Sequence, residues 1–168
     1  MRSQVHHNVL EDNTDIDLVV GGGTGCDIFG NTITNTYHHA FGGLQVGWFP
    51  NGGGNHSGVS YRNNSISSLA NKLAFGLIVG FHPWNPLQPV VNAGTVSGNQ
   101  SSGAVVNLAV DGINAGTVQD NTVSGARGTE GFNCNIPADY TAIHFGSDVS
   151  LQTGWIARHY HPVGCGSQ

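Results

Sequence analysis

The chain has 168 residues, of which 26 are glycine and 9% are charged, and its formal net charge is −5. One lysine and two glutamates cannot support long amphipathic helices, while 38% hydrophobic residues are too many for a disordered linker. Five Lys and Arg residues leave no basic surface for a nucleic-acid backbone, and no apolar run is long enough to span a membrane.

The amino-terminal segment, MRSQVHHN, already belongs to the repeat described below and contains no apolar signal-peptide segment. We therefore expect the methionine to mark a truncated or recombinant start. The missing signal does not indicate a cytoplasmic protein.

A repeat centred on one asparagine defines the predicted elements along the chain. An apolar or aromatic residue precedes each asparagine by three positions, and a second apolar residue follows by two positions in every unit except the fourth, which has Ser101. The intervals between the asparagines are 23, 33, 35 and 22 residues. These spacings indicate a solenoid unit of about 22 residues with two insertions of about ten. The repeated asparagines are Asn8, Asn31, Asn64, Asn99 and Asn121.

Glycines also recur, five or six residues before the asparagine in four units, and a second apolar strand follows the asparagine in each of the first four units. Alternation in this strand predicts one face towards the core and one face outwards. The second and third units align without a gap from Asn31 and Asn64, so that Gly43 matches Gly76. The alternating residues are Ile16, Leu18 and Val20, then Leu44 and Val46, then Leu77 and Val79, and finally Val106, Leu108 and Val110.

Short strands in a 22-residue unit predict an all-β parallel β-helix of about five coils, in which stacked coils build the core. The repeated asparagine fits this fold, since asparagine tolerates the left-handed conformation and can hydrogen-bond to its copy in the next coil. A β-sandwich, the main alternative, would not repeat an asparagine at one offset. We predict that residues 1–127 form the coils. Residues 128–168, where the repeat is lost, are predicted to be an irregular C-terminal cap of the same domain.

The units GNTITNT, RNNSISS and QDNTVSG resemble the right-handed parallel β-helix repeats of the pectate-lyase-like superfamily, over about residues 2–125. The resemblance implies a right-handed solenoid, an extracellular or cell-surface location and contact with polysaccharide. It implies no particular reaction, because the superfamily includes polysaccharide lyases, glycoside hydrolases, carbohydrate epimerases, phage tailspikes and secreted proteins without known activity.

Two insertions, GWFPNGGGNHSG and GFHPWNPLQPVVNAG, follow the second strand in consecutive coils and are expected to lie side by side. Aromatic faces bind sugar rings, and His, Asn and Asp supply hydrogen bonds. The aligned aromatics Trp48 and Phe81 could instead cover the core. The candidate ligand-binding residues are Trp48, His56, His82, Trp84 and Asp111.

The predicted function is polysaccharide binding through these loops. No pair of carboxylates and no base near an acidic cluster emerges from the repeat alignment, so no catalytic residue is predicted. A polysaccharide lyase or glycoside hydrolase, including a truncated one, is an alternative. A purely structural oligomerising solenoid is another.

No metal or cofactor is predicted, except that the acidic turn of Glu11, Asp12, Asp15 and Asp17 is either solvated or binds calcium. Adjacent histidines, as in His6–His7, are expected to point to opposite faces of a strand and therefore not to share an ion.

Cys134 and Cys165 flank the irregular segment and are predicted to form a disulfide, with three separate thiols, including Cys26, as the alternative. We expect no cap before the first coil, since Val5 and Leu10 already belong to the repeat. An uncapped coil exposes strand edges and apolar rows, so we expect either a homo-oligomer formed through it or a longer β-helix of which this chain is a fragment.

Overall fold

The computed structural model describes residues 3–49, 53–80, 90–110, 113, 115–124, 129–131 and 143–145, the last two ranges by their backbone alone. These residues form strands and turns, so this part of the chain holds no helix that could cross a membrane. The strands in chain order are β1 (Gln4–His6), β2 (Val9–Glu11), β3 (Ile16–Val20), β4 (Asp27–Phe29), β5 (Thr32–Asn35), β6 (Ala40–Val46), β7 (Ser60–Arg62), β8 (Ser65–Ser68), β9 (Leu73–Val79), β10 (Thr95–Ser97), β11 (Gln100–Ser102), β12 (Val106–Val110), β13 (Gly116–Gln119), β14 (Thr122–Ser124), β15 (Thr129–Gly131) and β16 (Ile143–Phe145).

The strands form three parallel sheets, and every third strand along the chain joins the same sheet. Sheet A has the order β1-β4-β7-β10-β13-β16, sheet B the order β2-β5-β8-β11-β14, and sheet C the order β3-β6-β9-β12-β15. Three consecutive strands therefore make one coil, and each coil pairs with the next. The predicted all-β parallel solenoid of about five coils is confirmed.

Two strands of the segment predicted to cap the solenoid continue its sheets. β15 pairs parallel with β12 and completes the fifth coil, and β16 pairs parallel with β13. The rest of residues 128–168, with Cys134 and Cys165, lies outside the described residues. The predicted disulfide stays a prediction, and the described cysteine, Cys26, is a free thiol.

The core is built from columns of equivalent residues, one from each coil. The predicted inward residues of sheets A and B pair in register along each sheet, and Tyr61 and Ser101 stand in columns that are otherwise aliphatic. Each coil buries its apolar row against its neighbours, so the stacking removes this surface from water. The two columns are Val5, Ile28, Tyr61, Val96 and Val118 in sheet A, and Leu10, Ile33, Ile66, Ser101 and Val123 in sheet B.

The repeated asparagines form an unbroken ladder at the turn between sheets A and B. In each step, an asparagine Nδ2 donates to Oδ1 of the next asparagine over 2.8–2.9 Å, and its backbone N–H donates to the same oxygen over 3.0–3.1 Å. From the second coil on, Nδ2 also donates to a backbone carbonyl of the preceding coil, as Asn64 does to Ile28. The predicted hydrogen bonding between copies is confirmed.

The left-handed residue of this turn is the one before the asparagine, not the asparagine itself. The ladder asparagines are absent from the residues with positive φ, whereas the preceding residue has φ between 54° and 66° in all five coils. Asparagine is therefore required for its amide, and the backbone reversal is carried by its neighbour. The five left-handed residues are His7, Gly30, Asn63, Gly98 and Asp120.

In sheet C, strand β9 is apolar on both faces, which the alternation did not predict. Leu77 and Val79 face the core, whereas Ile78 between them packs with Phe75, Val106 and Ala109 in a second buried cluster. These four residues are no more than 2% exposed. A strand that is buried on both faces has a continuous apolar sequence, as β9 does with LAFGLIV.

Val106 therefore faces outwards, although the repeat grouped it with the inward residues Leu108 and Val110. Ile16, which the repeat grouped with Leu18 and Val20, stands in the same column as Val106. The alternation is interrupted at the start of the sheet C strands. A Cβ built on Gly42 would contact Ile78 on the outer side, whereas one on Gly43 would meet Ile33 and Ile66 in the core.

The first coil is less covered than the others. Its inward residue Val5 is 38% exposed, whereas Ile28 at the same position in the next coil is 1% exposed. The strands β1, β2 and β3 each lie at the edge of their sheet. Association of chains through this coil stays a prediction.

Candidate functional site

The two insertions leave and rejoin the solenoid side by side, at the turn between sheets C and A. Gly47 N–H donates to Val20 O over 2.9 Å, and Gly80 N–H donates to Val46 O over 2.8 Å, so the insertions begin on neighbouring coils. Asn55 and Asn92 form a parallel bridge where the insertions end. We call the described residues 47–49, 53–58 and 90–94 the insertion corner.

His56 lies inside the insertion corner and not on its surface. Its side chain is 0% exposed, and both ring nitrogens are hydrogen-bonded. Nε2 lies 2.8 Å from Gly47 O, which can only accept, so Nε2 carries the proton and Nδ1 accepts from the Tyr61 hydroxyl. His56 was predicted to contact a ligand, but this position instead lets it join the two ends of the first insertion.

A tyrosine at an otherwise aliphatic core position could have indicated from the sequence that a polar side chain such as His56 is buried nearby. Tyr61 is fully buried in a column of valine and isoleucine, and a buried tyrosine hydroxyl needs a polar partner. Burial raises the pKa of the Tyr61 hydroxyl, and burial lowers the pKa of the His56 imidazole, a shift that the Gly47 carbonyl partly opposes. Both groups are therefore neutral at pH 7.

Protonation of His56 is expected to destabilise the fold in mild acid. Its pKa in the folded chain lies below the ordinary 6.5, so below pH 6.5 the unfolded state binds more protons. The free energy of unfolding should then fall by up to about 1.4 kcal/mol per pH unit until the folded pKa is reached. Urea denaturation at pH 7.5 and 5.5 should show a smaller loss in His56→Gln than in the wild type. Equal losses in both proteins would contradict this assignment.

The two aromatic residues of the insertion corner differ in exposure. Trp48 is half-buried and packs against the core, and a Cβ on Gly54 would lie 2.7 Å from Trp48 Cδ1, so the returning chain covers part of the indole. Phe49 is 37% exposed, and its side chain lies against Gly21, where a Cβ would be 2.5 Å from Phe49 Cβ. Trp48 thus serves largely as a cover for the core, while Phe49 presents a ring to solvent.

The asparagines of the insertion corner shape its turns. Asn55 Oδ1 accepts from Ser57 N–H over 3.0 Å and from Ser57 Oγ over 2.6 Å, and Asn92 Oδ1 accepts from Gly94 N–H over 2.7 Å. These contacts form the same local turn in two consecutive coils. The corner contains no charged side chain, since its one titratable residue is the neutral His56.

Three of the five predicted site residues lie outside the described residues: His82, Trp84 and Asp111. The two described ones, Trp48 and His56, belong to the same corner. His56 lies beneath its surface and Trp48 is partly accessible. Phe49 lies in the first insertion next to Trp48 and was not among the five candidate residues.

The acidic turn holds the fold through two of its carboxylates. Asp12 Oδ1 accepts from the backbone N–H groups of Thr36, Tyr37 and His38, and the Tyr37 bond contributes most to lowering the pKa of Asp12. Asp17 is buried, which raises its pKa, and it accepts from Asn13 over 2.7 Å. In the described part of the chain, no three His, Cys, Asp or Glu side chains are placed to hold one metal ion.

A stacked column on the outer face of sheet A was not predicted from the sequence. His6, Phe29 and Arg62 are partners in neighbouring strands. The His6 and Phe29 rings stack at 4.8 Å and 12°, and the Arg62 guanidinium lies 4.3 Å from the Phe29 centroid. Asp27 binds Arg62 through both carboxylate oxygens, at 2.7 and 3.2 Å.

No protein-family model matches the chain, and no curated protein or solved structure matches it.

Proposed function

We propose that this chain is a carbohydrate-binding solenoid of the right-handed, pectate-lyase-like type that acts outside the cell or at its surface. Its ligand is a neutral polysaccharide, bound across the coils at the insertion corner. The repeat resemblance supports the superfamily, and the parallel three-sheet solenoid is compatible with it.

The observation that carries the proposal is the registered pairing of the two insertions. The segment around Asn55 lies between Gly23 and Asn92, to which it is joined by backbone hydrogen bonds of 2.8 Å. The described ends of the two insertions, on consecutive coils, are thus held next to each other on a rigid support. A polymer laid along the solenoid axis would cross both loops, and rigid support reduces the entropy lost on binding.

The aromatic chemistry of the corner suits a sugar ring. Phe49 is 37% exposed, and the preceding residue, Trp48, is half-buried. Aromatic side chains contribute apolar contact area together with a directed quadrupole, which pairs with the C–H face of a pyranose.

The charge distribution favours a neutral polymer over one rich in uronic acids. The insertion corner has no charged side chain, and the whole chain carries a net charge of −5. Among the described residues, the basic side chains are Arg62, which is paired with Asp27, and Lys72. An anionic polymer would meet repulsion without a compensating basic surface.

Replacing Phe49 with alanine is expected to weaken polysaccharide binding about tenfold, since an aromatic contact contributes about 1.4 kcal/mol. Affinity electrophoresis in gels containing glucan, mannan, xylan or polygalacturonate would measure this. Tyr37→Ala is the matched control, because Tyr37 is 76% exposed at a different turn. Binding only to polygalacturonate, or equal retardation of Phe49→Ala and the wild type, would refute the proposal.

A further inference from the structure

His6 and His7 bring their ring nitrogens together on the surface of the first coil. The two Nδ1 atoms share a hydrogen bond of 2.7 Å, although neighbouring residues of a strand should point to opposite faces. An ion bound by both atoms replaces the proton of this bond, which moves to Nε2 of its ring. The reason is that β1 ends at His6 and His7 takes the left-handed conformation, with φ of 54°. The turn before the asparagine ladder thus swings the second ring back beside the first.

We propose that His6 and His7 together bind one divalent transition-metal ion through their Nδ1 atoms, with Cu²⁺ or Ni²⁺ as the preferred ion. Imidazole nitrogen is a good ligand for both metals. Both side chains are exposed, so an ion can approach and water can fill its other coordination positions.

The distance between the nitrogens favours a square-planar or octahedral ion. With metal–nitrogen bonds of about 2.0–2.1 Å, two ligands at a right angle lie about 2.9 Å apart, and two at the tetrahedral angle lie about 3.4 Å apart. The observed 2.7 Å is close to the right-angle value. Cu²⁺ and Ni²⁺ adopt such geometries with nitrogen ligands, whereas Zn²⁺ prefers the tetrahedron.

Phe29 holds both rings in place before an ion arrives. The His6 ring stacks on Phe29 at 4.8 Å, and the His7 ring meets it edge-on, at 5.4 Å and 84°. Gly30 leaves room for the second ring, since a Cβ there would lie 3.1 Å from His7 Nε2. Groups fixed in this way lose little freedom when they bind.

The nearest described cation does not oppose an ion at this position. The Arg62 guanidinium covers the side of Phe29 opposite to His6, and Asp27 pairs with it over 2.7 Å. The second adjacent pair of histidines has a different environment, because His39 Nε2 lies 3.3 Å from Lys72 Nζ. A metal ion at His39 would meet the ammonium charge, which makes His38–His39 a natural control.

Titration of the untagged protein with Cu²⁺ at pH 7.5, followed by calorimetry and electron paramagnetic resonance, tests the proposal. His6→Phe keeps a ring against Phe29, and His7→Gly keeps the left-handed turn, as Gly30 does in the next coil. Each variant is expected to lose one bound Cu²⁺ per chain and its two-nitrogen spectrum. The double variant His38→Ala/His39→Ala should retain both.

Phe29→Leu is expected to weaken this Cu²⁺ site about tenfold, as the loss of an orienting neighbour typically does. Unchanged stoichiometry and spectrum in the His6→Phe/His7→Gly double variant would overturn the site. A site that survives either single substitution would mean that the histidines bind ions separately, which also overturns the proposal. Circular dichroism of each variant checks that the solenoid is intact.

Discussion

Replacing Asn64 with alanine is expected to lower the free energy of unfolding by about 3–5 kcal/mol, because it removes the middle of the asparagine ladder. Asn64 Oδ1 accepts from the backbone and side-chain amides of Asn31, and Asn64 Nδ2 donates to Ile28 O and Asn99 Oδ1. Asn64 is 1% exposed, so water cannot take over these contacts. Buried amide groups left without partners account for most of the loss.

Equilibrium denaturation in urea measures this loss, with Asn63→Gly as the control. Asn63 is the adjacent asparagine, exposed and left-handed, and glycine occupies its position in two other coils. Glycine adopts positive φ without a steric penalty, so this substitution should change the free energy of unfolding by less than about 1 kcal/mol. A small loss in Asn64→Ala, or an equal loss in both variants, would show that the ladder does not stabilise the coils.

Replacing Gly43 with alanine is expected to lower the free energy of unfolding by about 2–3 kcal/mol through overpacking. A Cβ at Gly43 would lie 2.6 Å from Ile66 Cγ2 and 2.8 Å from Gly76 O. Gly43 is not among the residues with positive φ, so the cost is steric and not conformational. The match between Gly43 and Gly76 in the sequence thus marks a place where one coil leaves space for the next.

Gly47→Ala is the matched control for this substitution. Gly47 also lacks a positive φ, and the nearest atoms to its Cβ would belong to the Gln45 side chain at 3.1–3.3 Å, a milder overlap than the one at Gly43. The free energy of unfolding of Gly47→Ala should stay within about 1 kcal/mol of the wild type. If thermal and urea denaturation rank the two variants equally, close packing at Gly43 is not the reason for the glycine.

The repeat was sufficient to predict the solenoid. Its inward columns and its asparagine ladder are each formed by residues that occupy the same position in successive repeat units. Val5, Ile28 and Tyr61 share a column in the structure as they share an offset in the sequence. The insertions were located in the same way, since Gly47 and Gly80 follow paired residues of neighbouring strands.

Other features of the structure depend on contacts between residues at different repeat positions, which the alignment of the units does not predict. The burial of His56 follows from a hydrogen bond to Tyr61 across the insertion, and the burial of Ile78 follows from packing outside the coil. The approach of His6 and His7 follows from one left-handed residue, which interrupts the alternation on which the prediction depended.

The left-handed residue that precedes each ladder asparagine can vary in sequence without a change in the fold. This residue sits outside the core in every coil, and it is exposed wherever it is not glycine. The position accepts glycine, asparagine, aspartate or histidine, because each tolerates positive φ. Successive coils are about 4.8 Å apart, so these residues make a straight row of interchangeable groups along one edge. Such a row could acquire acidic, amide or imidazole chemistry coil by coil while the ladder beneath it stays the same.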